Sequence, residues 1–413
     1  MMPALEHSKV FVIDNGGGSI KAGFSSMLAP RTIPNCITKA KSEKRRAFVG
    51  DQLDDCRDLS GLYYMLPFQK GYLVNWDHQK TVWDYIMGPN CFDIANHLNK
   101  MDLVFTEPYF NFNSIKEGLS ELLFEEYGFK RMFRTHPGDL SCYKNRLQFP
   151  DEKCCLVVDT GYSFTHIIPY VDGKRIKESI KRIDIGGKLL TNHLKEIISY
   201  RQIHVLDETY VMNNCKEDAC FVTLNYEEDM KTSRKEAQVN LRKNPDFTFR
   251  IARDYVLPDF TTIRRGYLKS QQETGRPGPN ENEQTIRLNN ERFSVPELLF
   301  SPSDVGIEQS GIPEAIVMAV MSCDQAVQPW LFRNIVLTGG NAALTNFKER
   351  VEKEERALAP DVYDVIVRLP EDPATYAWSG GAAISNDVVF DSISVTKEEY
   401  FERGHLVCNE RFF

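Results

Sequence analysis

The sequence has no apolar run long enough to span a bilayer, and Met1–Lys9 lacks the apolar centre of a signal peptide. Membrane insertion and export are therefore not expected, and the chain should stay in the cytosol or enter the nucleus. No C-x-x-C pair occurs among its ten cysteines. Cys154 and Cys155 are neighbours at a strand start, where they point to opposite faces, and Cys215 and Cys220 are spaced too widely for a zinc knuckle. Reduced thiols and no metal site are the reading. His193 and Glu196 lie one helical turn apart without further ligands, which reads as a solvated helix face. Positive charge is also short: 50 Lys and Arg against 58 Asp and Glu give a net charge of -8. That excludes a surface that grips nucleic acid everywhere and leaves only a local patch.

What is present points to a soluble α/β protein. With 413 residues, 42% of them hydrophobic, the chain exceeds one ordinary core, so two large domains are expected. Val10–Ile13 is an apolar, mostly β-branched or aromatic run that ends in Asp14-Asn15-Gly16-Gly17-Gly18, and a second strand carries Lys21. Three glycines permit a sharp turn whose N–H groups converge on an anion. Asp14 cannot bind phosphate but can hold a water or a hard cation. A plain hairpin whose glycines serve only geometry is the alternative. Cys155–Asp159, followed by Thr160-Gly161-Tyr162-Ser163 and a second strand, repeats the pattern, so two hairpins could clamp a polyphosphate between them. Ile335–Thr338 running into Gly339-Gly340 is a third echo, with the glycine pair expected at the N-terminus of a helix over 346–358.

Other segments read less sharply. Lys39, Lys41, Lys44, Arg45 and Arg46 form a basic run: an exposed loop, a nuclear-localisation signal or a phosphate-backbone contact. A helix is expected over 115–127, capped by Asn113-Ser114, and another over 189–200 with Leu190, Leu194, Ile197 and Ile198 as its core stripe. The stretch 231–290 is polar. Its part from Ser270 to Asn282 shows no core pattern and reads as a mobile loop, either a dispensable insertion or a partner-binding element.

The echoed hairpins with Gly339-Gly340 resemble the phosphate and adenosine motifs of the actin superfamily. Asp14-Asn15-Gly16 with Lys21-Ala22-Gly23-Phe24, Val74-Asn75-Trp76-Asp77, Glu291-Arg292-Phe293, Leu337-Thr338-Gly339-Gly340 and Trp378-Ser379-Gly380-Gly381 all read as actin, so the resemblance covers nearly the whole chain. It implies an actin-like ATPase fold of two lobes with duplicated sheet and helix cores, each lobe carrying a smaller subdomain. The implied division is 1–35, 72–148 and 376–413 for the first subdomain, 36–71 for the second, 149–185 and 308–375 for the third, and 186–307 for the fourth, with 231–290 as its insertion. It further implies that Asp14, Gly16, Gly17, Gly18, Lys21, Asp159, Gly161, Gly187, Lys216, Glu217, Gly339 and Gly340 hold ATP with Mg. Longer phrases, among them Pro67–Trp76 and Gly186–Arg201, resemble a nuclear class of actin-related proteins found in SWR- and SRCAP-type chromatin remodellers. Those machines deposit the Z variant of histone 2A. The implied partners are the remodeller motor, a zinc-finger HIT-type subunit, nucleosomes or histones, and a heterochromatin protein.

Departures from the pattern bear on activity. Actin's second phosphate hairpin carries another Asp and a Gly where this chain has Tyr162-Ser163. Its water-positioning glutamine corresponds to Pro137, while His166, which assists that water, is retained. A tyrosine and a lysine near adenine become Leu344 and Ala374. The loop that inserts into the next filament subunit is shortened to the basic segment Thr38–Phe48. These changes imply a catalytically degenerate ATP site and no homopolymer, since phosphoryl transfer depends on positioning and charge stabilisation. The alternatives are a weak actin-type ATPase and a cytoskeletal actin-related protein.

Overall fold

The structure, a computed structural model, describes residues 10–43, 45–239, 241, 243–244, 246–276 and 283–412. Val10–Asn15 is buried along its whole length. It pairs antiparallel with Ser19–Phe24 and parallel with Asp102–Thr106, which in turn runs parallel to Arg131–Thr135. Arg31–Pro34 and Val395–Thr396 complete a six-stranded sheet at its two edges. Cys154–Thr160 repeats the arrangement: antiparallel to Thr165–Val171, parallel to Ile335–Thr338, which runs parallel to Val367–Arg368. Strands covered on both faces carry continuous apolar runs rather than alternation, and both hairpin starts show this. The duplicated sheets give each lobe its own core, as the actin-like fold requires. One is built on Phe11, Ile13, Trp83 and Leu103, the other on Leu156, Val158, Leu190 and Ile335. Cys154 joins the second core, while Cys155 packs with Tyr109, Tyr170 and Tyr376 on the opposite face.

Two helices, Pro137–Gln148 and Tyr376–Ile384, cross beside the sheets. Their approach is set by Gly380: a methyl group there would lie 2.0 Å from the carbonyl oxygen of Leu140. Trp76–Met87 starts on Asn75, whose side chain accepts from the N–H of His78, an ordinary N-cap. A small lid formed by Ile37–Lys39, Ala47–Val49 and Tyr63–Met65 has its own core of Ala40, Phe48, Leu53, Cys56, Leu59 and Leu62. Tyr210 and Phe260, from the other side of the cleft, pack against that core.

Several expectations change. The helix expected from 115 begins at Asn113, after Phe112, with no side-chain cap, and 122–126 forms a π-turn. Asn113 and Ser114 lie inside the helix, and the residue at the cap position is Phe112, whose side chain has no oxygen to accept from the first turn. Gly339-Gly340 does not open the long helix. It leads into a 3-10 turn over Gly340–Ala343, and the helix runs from Phe347 to Leu358. The polar stretch 231–290 is not an appendage. Arg253–Val256, Tyr267–Leu268 and Thr285–Leu288 form a three-stranded sheet, with Tyr255, Ile286 and Leu288 fully buried. Its polarity is structural: the Glu236 carboxylate accepts from the backbone N–H groups of Arg250, Ile251 and Ala252, and Asp254 pairs with Arg287. Residues 277–282 of the expected loop and Lys44 of the basic run lie outside the described residues. Among the described residues, no helix is long and apolar enough to cross a membrane.

Candidate functional site

The two hairpin turns face each other across a cleft of about 860 Å³, and the third strand–glycine turn joins them. All twelve residues singled out from the sequence line it: Asp14, Gly16, Gly17, Gly18 and Lys21 from the first jaw, Asp159 and Gly161 from the second, and Gly187, Lys216, Glu217, Gly339 and Gly340 beyond them. Pro137, Tyr162, Leu344 and Ala374 line it as well. Such convergence follows from the topology, because parallel strands place their carboxyl ends at one edge, where ligands of open α/β sheets sit.

The first jaw is held from three sides. Thr106 donates to Asp14 at 2.7 Å and accepts from the N–H of Asn15 at 2.9 Å. Trp83 donates to the Asn15 side chain, and Asn35 to the carbonyl of Gly16. Lys21 pairs with Asp14 across the hairpin, and its ammonium comes within 3.9 Å of where a Gly16 Cβ would lie. The strand thus folds the cation back over the turn. In the second jaw, burial and the facing charge of Asp14 push the Asp159 carboxyl up to about 6, with Lys21 opposing. Asn341 ties the third turn to this jaw, donating to Thr160 and to the carbonyl of Gly161 at 2.8 Å. Gly339 adopts a φ of +90°, and a side chain there would lie 2.2 Å from the Thr160 carbonyl oxygen, so only glycine allows this junction.

Deeper in, Lys216 is buried and held by Thr191 and Asn213 at 3.1 and 3.0 Å. Burial holds its ammonium below the usual lysine range. Glu217 accepts from Asn213. His166 stands apart from the cleft lining. Its ring is fully buried among Tyr109, Phe110 and Phe164, and neither ring nitrogen has a partner among the described residues. Burial pushes it down to about 3, so it is neutral and walled off from any water in the cleft.

The sequence profile described as Actin matches residues 5–208 and 204–413. The chain belongs to the actin family. Within the family it groups with the sequences called actin-related protein 6. It is 44% identical to that protein of Drosophila melanogaster, over 97% of this chain and 99% of the relative. It is 38% identical to that of Arabidopsis thaliana, over 98% and 100%. An actin-like protein ARP6 of Cryptococcus neoformans is 40% identical over 98% of this chain and 84% of its own.

The actin family implies ATP with a divalent metal, and the cleft shows which residues would hold each part of that group. A base could lie against Leu344 and Ala374, with Lys216 and Glu217 at its edge; Gly340 is open, whereas Gly16, Gly17 and Gly18 are crowded by Ser19, Ser163 and Tyr162. For a metal, the carboxylates are Asp14 and Asp159, and the position that would carry a third is Tyr162. Among the described residues no cluster of three or more His, Cys, Asp or Glu could hold a metal ion. A divalent cation carried with a nucleotide takes most of its ligands from phosphate oxygens and water and needs only one or two protein carboxylates, so Asp14 and Asp159 are the residues that would hold it. Thr106, Asn35 and Asn341 were not singled out from the sequence. The only local signal for them is a polar residue at the end of, or just after, an apolar strand.

Proposed function

We propose that this actin-family protein is a non-filamentous nuclear subunit of an SWR- or SRCAP-type remodeller. In that reading it couples the motor to nucleosomes through protein contacts while the Z variant of histone 2A is deposited. The nucleotide in its cleft holds two lobes together and is not fuel. The observation that carries this reading is the pair of unlike jaws: the Asp14 jaw keeps its carboxylate, cation and supporting threonine, whereas the opposite jaw presents Tyr162 and the floor presents Pro137. Pro137 has no side-chain polar group to orient a water, Tyr162 puts a bulky ring where the resemblance puts a carboxylate, and His166 is caged. Loss of one positioning group commonly costs two or more orders of magnitude in rate. A held nucleotide stabilises by mass action, about 2.7 kcal/mol at a hundredfold excess over Kd. The lid supports the non-filamentous part. Thr38–Phe48 is a short hairpin with Phe48 buried in its own core, and Arg46 is engaged with Asp55 and the Phe48 ring. That leaves no long apolar loop to offer a neighbour.

The test is recovery from nuclear extract with the tagged full chain, alongside phosphate release by the purified protein with magnesium ATP. The remodeller motor and a zinc-finger HIT-type subunit are the expected partners, with no steady turnover. Turnover at ordinary enzyme rates, on the order of 1–1,000 per second, or recovery only of long self-assemblies, overturns the reading.

A further inference from the structure

The jaws meet at their tips. A methyl group on Gly18 would lie 2.6 Å from Cγ and 2.9 Å from Cβ of Tyr162, and one on Gly17 would lie 2.9 Å from Oγ of Ser163. Side-chain atoms of the second jaw therefore fill the gap that separates it from the first. Tyr162 lines the cleft together with Cys36 and Tyr64, and its ring lies against Gly18. The far end of the cleft is roomier: a side chain on Gly340 would meet nothing within 4 Å.

A nucleotide laid with its base on the apolar end and its phosphates toward the glycines has room for a first and second phosphate beside the turns. A third, carried forward between the tips, meets the Tyr162 ring. Charge works in the same direction. Asp14 and Asp159 face each other with Lys21 as the cation between the jaws, and each added phosphate brings more negative charge into that space. Tyr162 adds no carboxylate here, so a metal offsetting that charge would have only Asp14 and Asp159 from the jaws, with phosphate oxygens and waters as its other ligands.

Building on the nucleotide-holding reading, we propose that the cleft selects nucleoside diphosphates over triphosphates, and that Tyr162 is the residue that excludes the terminal phosphate. The plainer role for Tyr162, packing between lobes without regard to the ligand, gives no such selectivity.

Calorimetric titration of the full chain with ADP and ATP, each with and without magnesium, separates the cases. Wild type is expected to bind ADP at least about tenfold more tightly than ATP, a difference of about 1.4 kcal/mol. Tyr162→Gly brings the two affinities within about threefold, chiefly by tightening ATP, while Tyr162→Phe keeps the wild-type ratio because the ring and not its hydroxyl fills the gap. Wild type binding ATP as tightly as ADP overturns the proposal and leaves the nucleotide-holding reading standing. Binding of neither overturns both. A folded Tyr162→Gly protein that retains the wild-type ratio overturns the assignment to Tyr162. If that variant does not fold, the wild-type ratio and Tyr162→Asp decide the matter in the same way.

Discussion

Glu355 is a fully buried carboxyl, neither oxygen of which has a partner among the described residues. It sits on the helix Phe347–Leu358. Burial, helped by neighbouring Glu354, pushes it up to about 9. In the unfolded chain a glutamate titrates near 4.3. Because the folded state holds a proton that the unfolded state has released, stability falls as pH rises through the window between the two values. Each unit of that window costs about 1.4 kcal/mol, so at pH 7.5 the penalty approaches about 4 kcal/mol. Glu355→Met keeps the volume, removes the proton and leaves no unpaired polar atom. We expect it to raise the melting midpoint, with a gap over wild type that is small near pH 5 and widens steadily to pH 8.5. Differential scanning fluorimetry of both proteins across that range is the assay. A gap that does not change with pH refutes the reasoning, because it would mean that Glu355 is ionised and solvated or paired in the folded protein.

Two further outcomes follow from contacts that join the halves of the molecule. Asp139, at the start of the helix Pro137–Gln148, accepts from Thr135 at 2.8 Å, Tyr170 at 2.9 Å and Arg175 at 2.5 Å. Burial alone would raise this carboxyl, but the hydrogen bond and charge of His136 and the charge of Arg175 hold it well below the usual carboxylate range. Its contribution is therefore present above about pH 4 and lost only in stronger acid. Asp139→Asn should cost about 3–5 kcal/mol by stranding Arg175, and Asp139→Leu with Arg175→Met should recover much of it; a double variant no better than the single one would show that the ion pair is not the term that matters. The lid is fastened across the cleft by the Gly61 N–H on both Glu208 oxygens at 3.0 and 3.1 Å, by Lys41 beside Asp207, and by Arg264 on the Asp54 carbonyl. Glu208→Ala should weaken that latch by about 1 kcal/mol, a partly exposed charged hydrogen bond being worth less than the buried 1.5–3. Tryptic cleavage between Lys39 and Arg46 should then speed up several-fold, and an unchanged cleavage rate would mean that the Tyr210 and Phe260 packing alone holds the lid.

What could be read from the sequence was what is encoded locally. The run Val10–Ile13, the Asp at its end and the glycines after it carry strand, turn and charge within nine residues, and the echo at Asp159 repeats them. The residues of the three strand–glycine turns line one cleft, since they sit at or near strand ends and parallel pairing brings those ends together, while Gly187, Lys216 and Glu217, placed by the resemblance alone, reach it from two helices. What was hidden is what depends on a partner far along the chain. Thr106 reaches Asp14 across 92 positions and Asn341 reaches Thr160 across 181, and neither residue type announces its partner. The sheet of 253–288 read only as a polar stretch for a related reason. Its strands are short, and their buried polar atoms are satisfied by Glu236 and Arg287, groups that look like a solvated surface when no pairing is known. Retained residues can mislead in the opposite direction. His166 keeps its place in the hairpin, yet the ring of Phe164, two residues earlier, packs against it, and neither of its ring nitrogens has a partner among the described residues. Tyr162 makes the same point from the other side. In the sequence it is a carboxylate lost; in the fold it is a ring set against Gly18 of the facing jaw. Under the diphosphate proposal, the change in which ligand the cleft accepts follows from where the ring lies, not from what the side chain lacks.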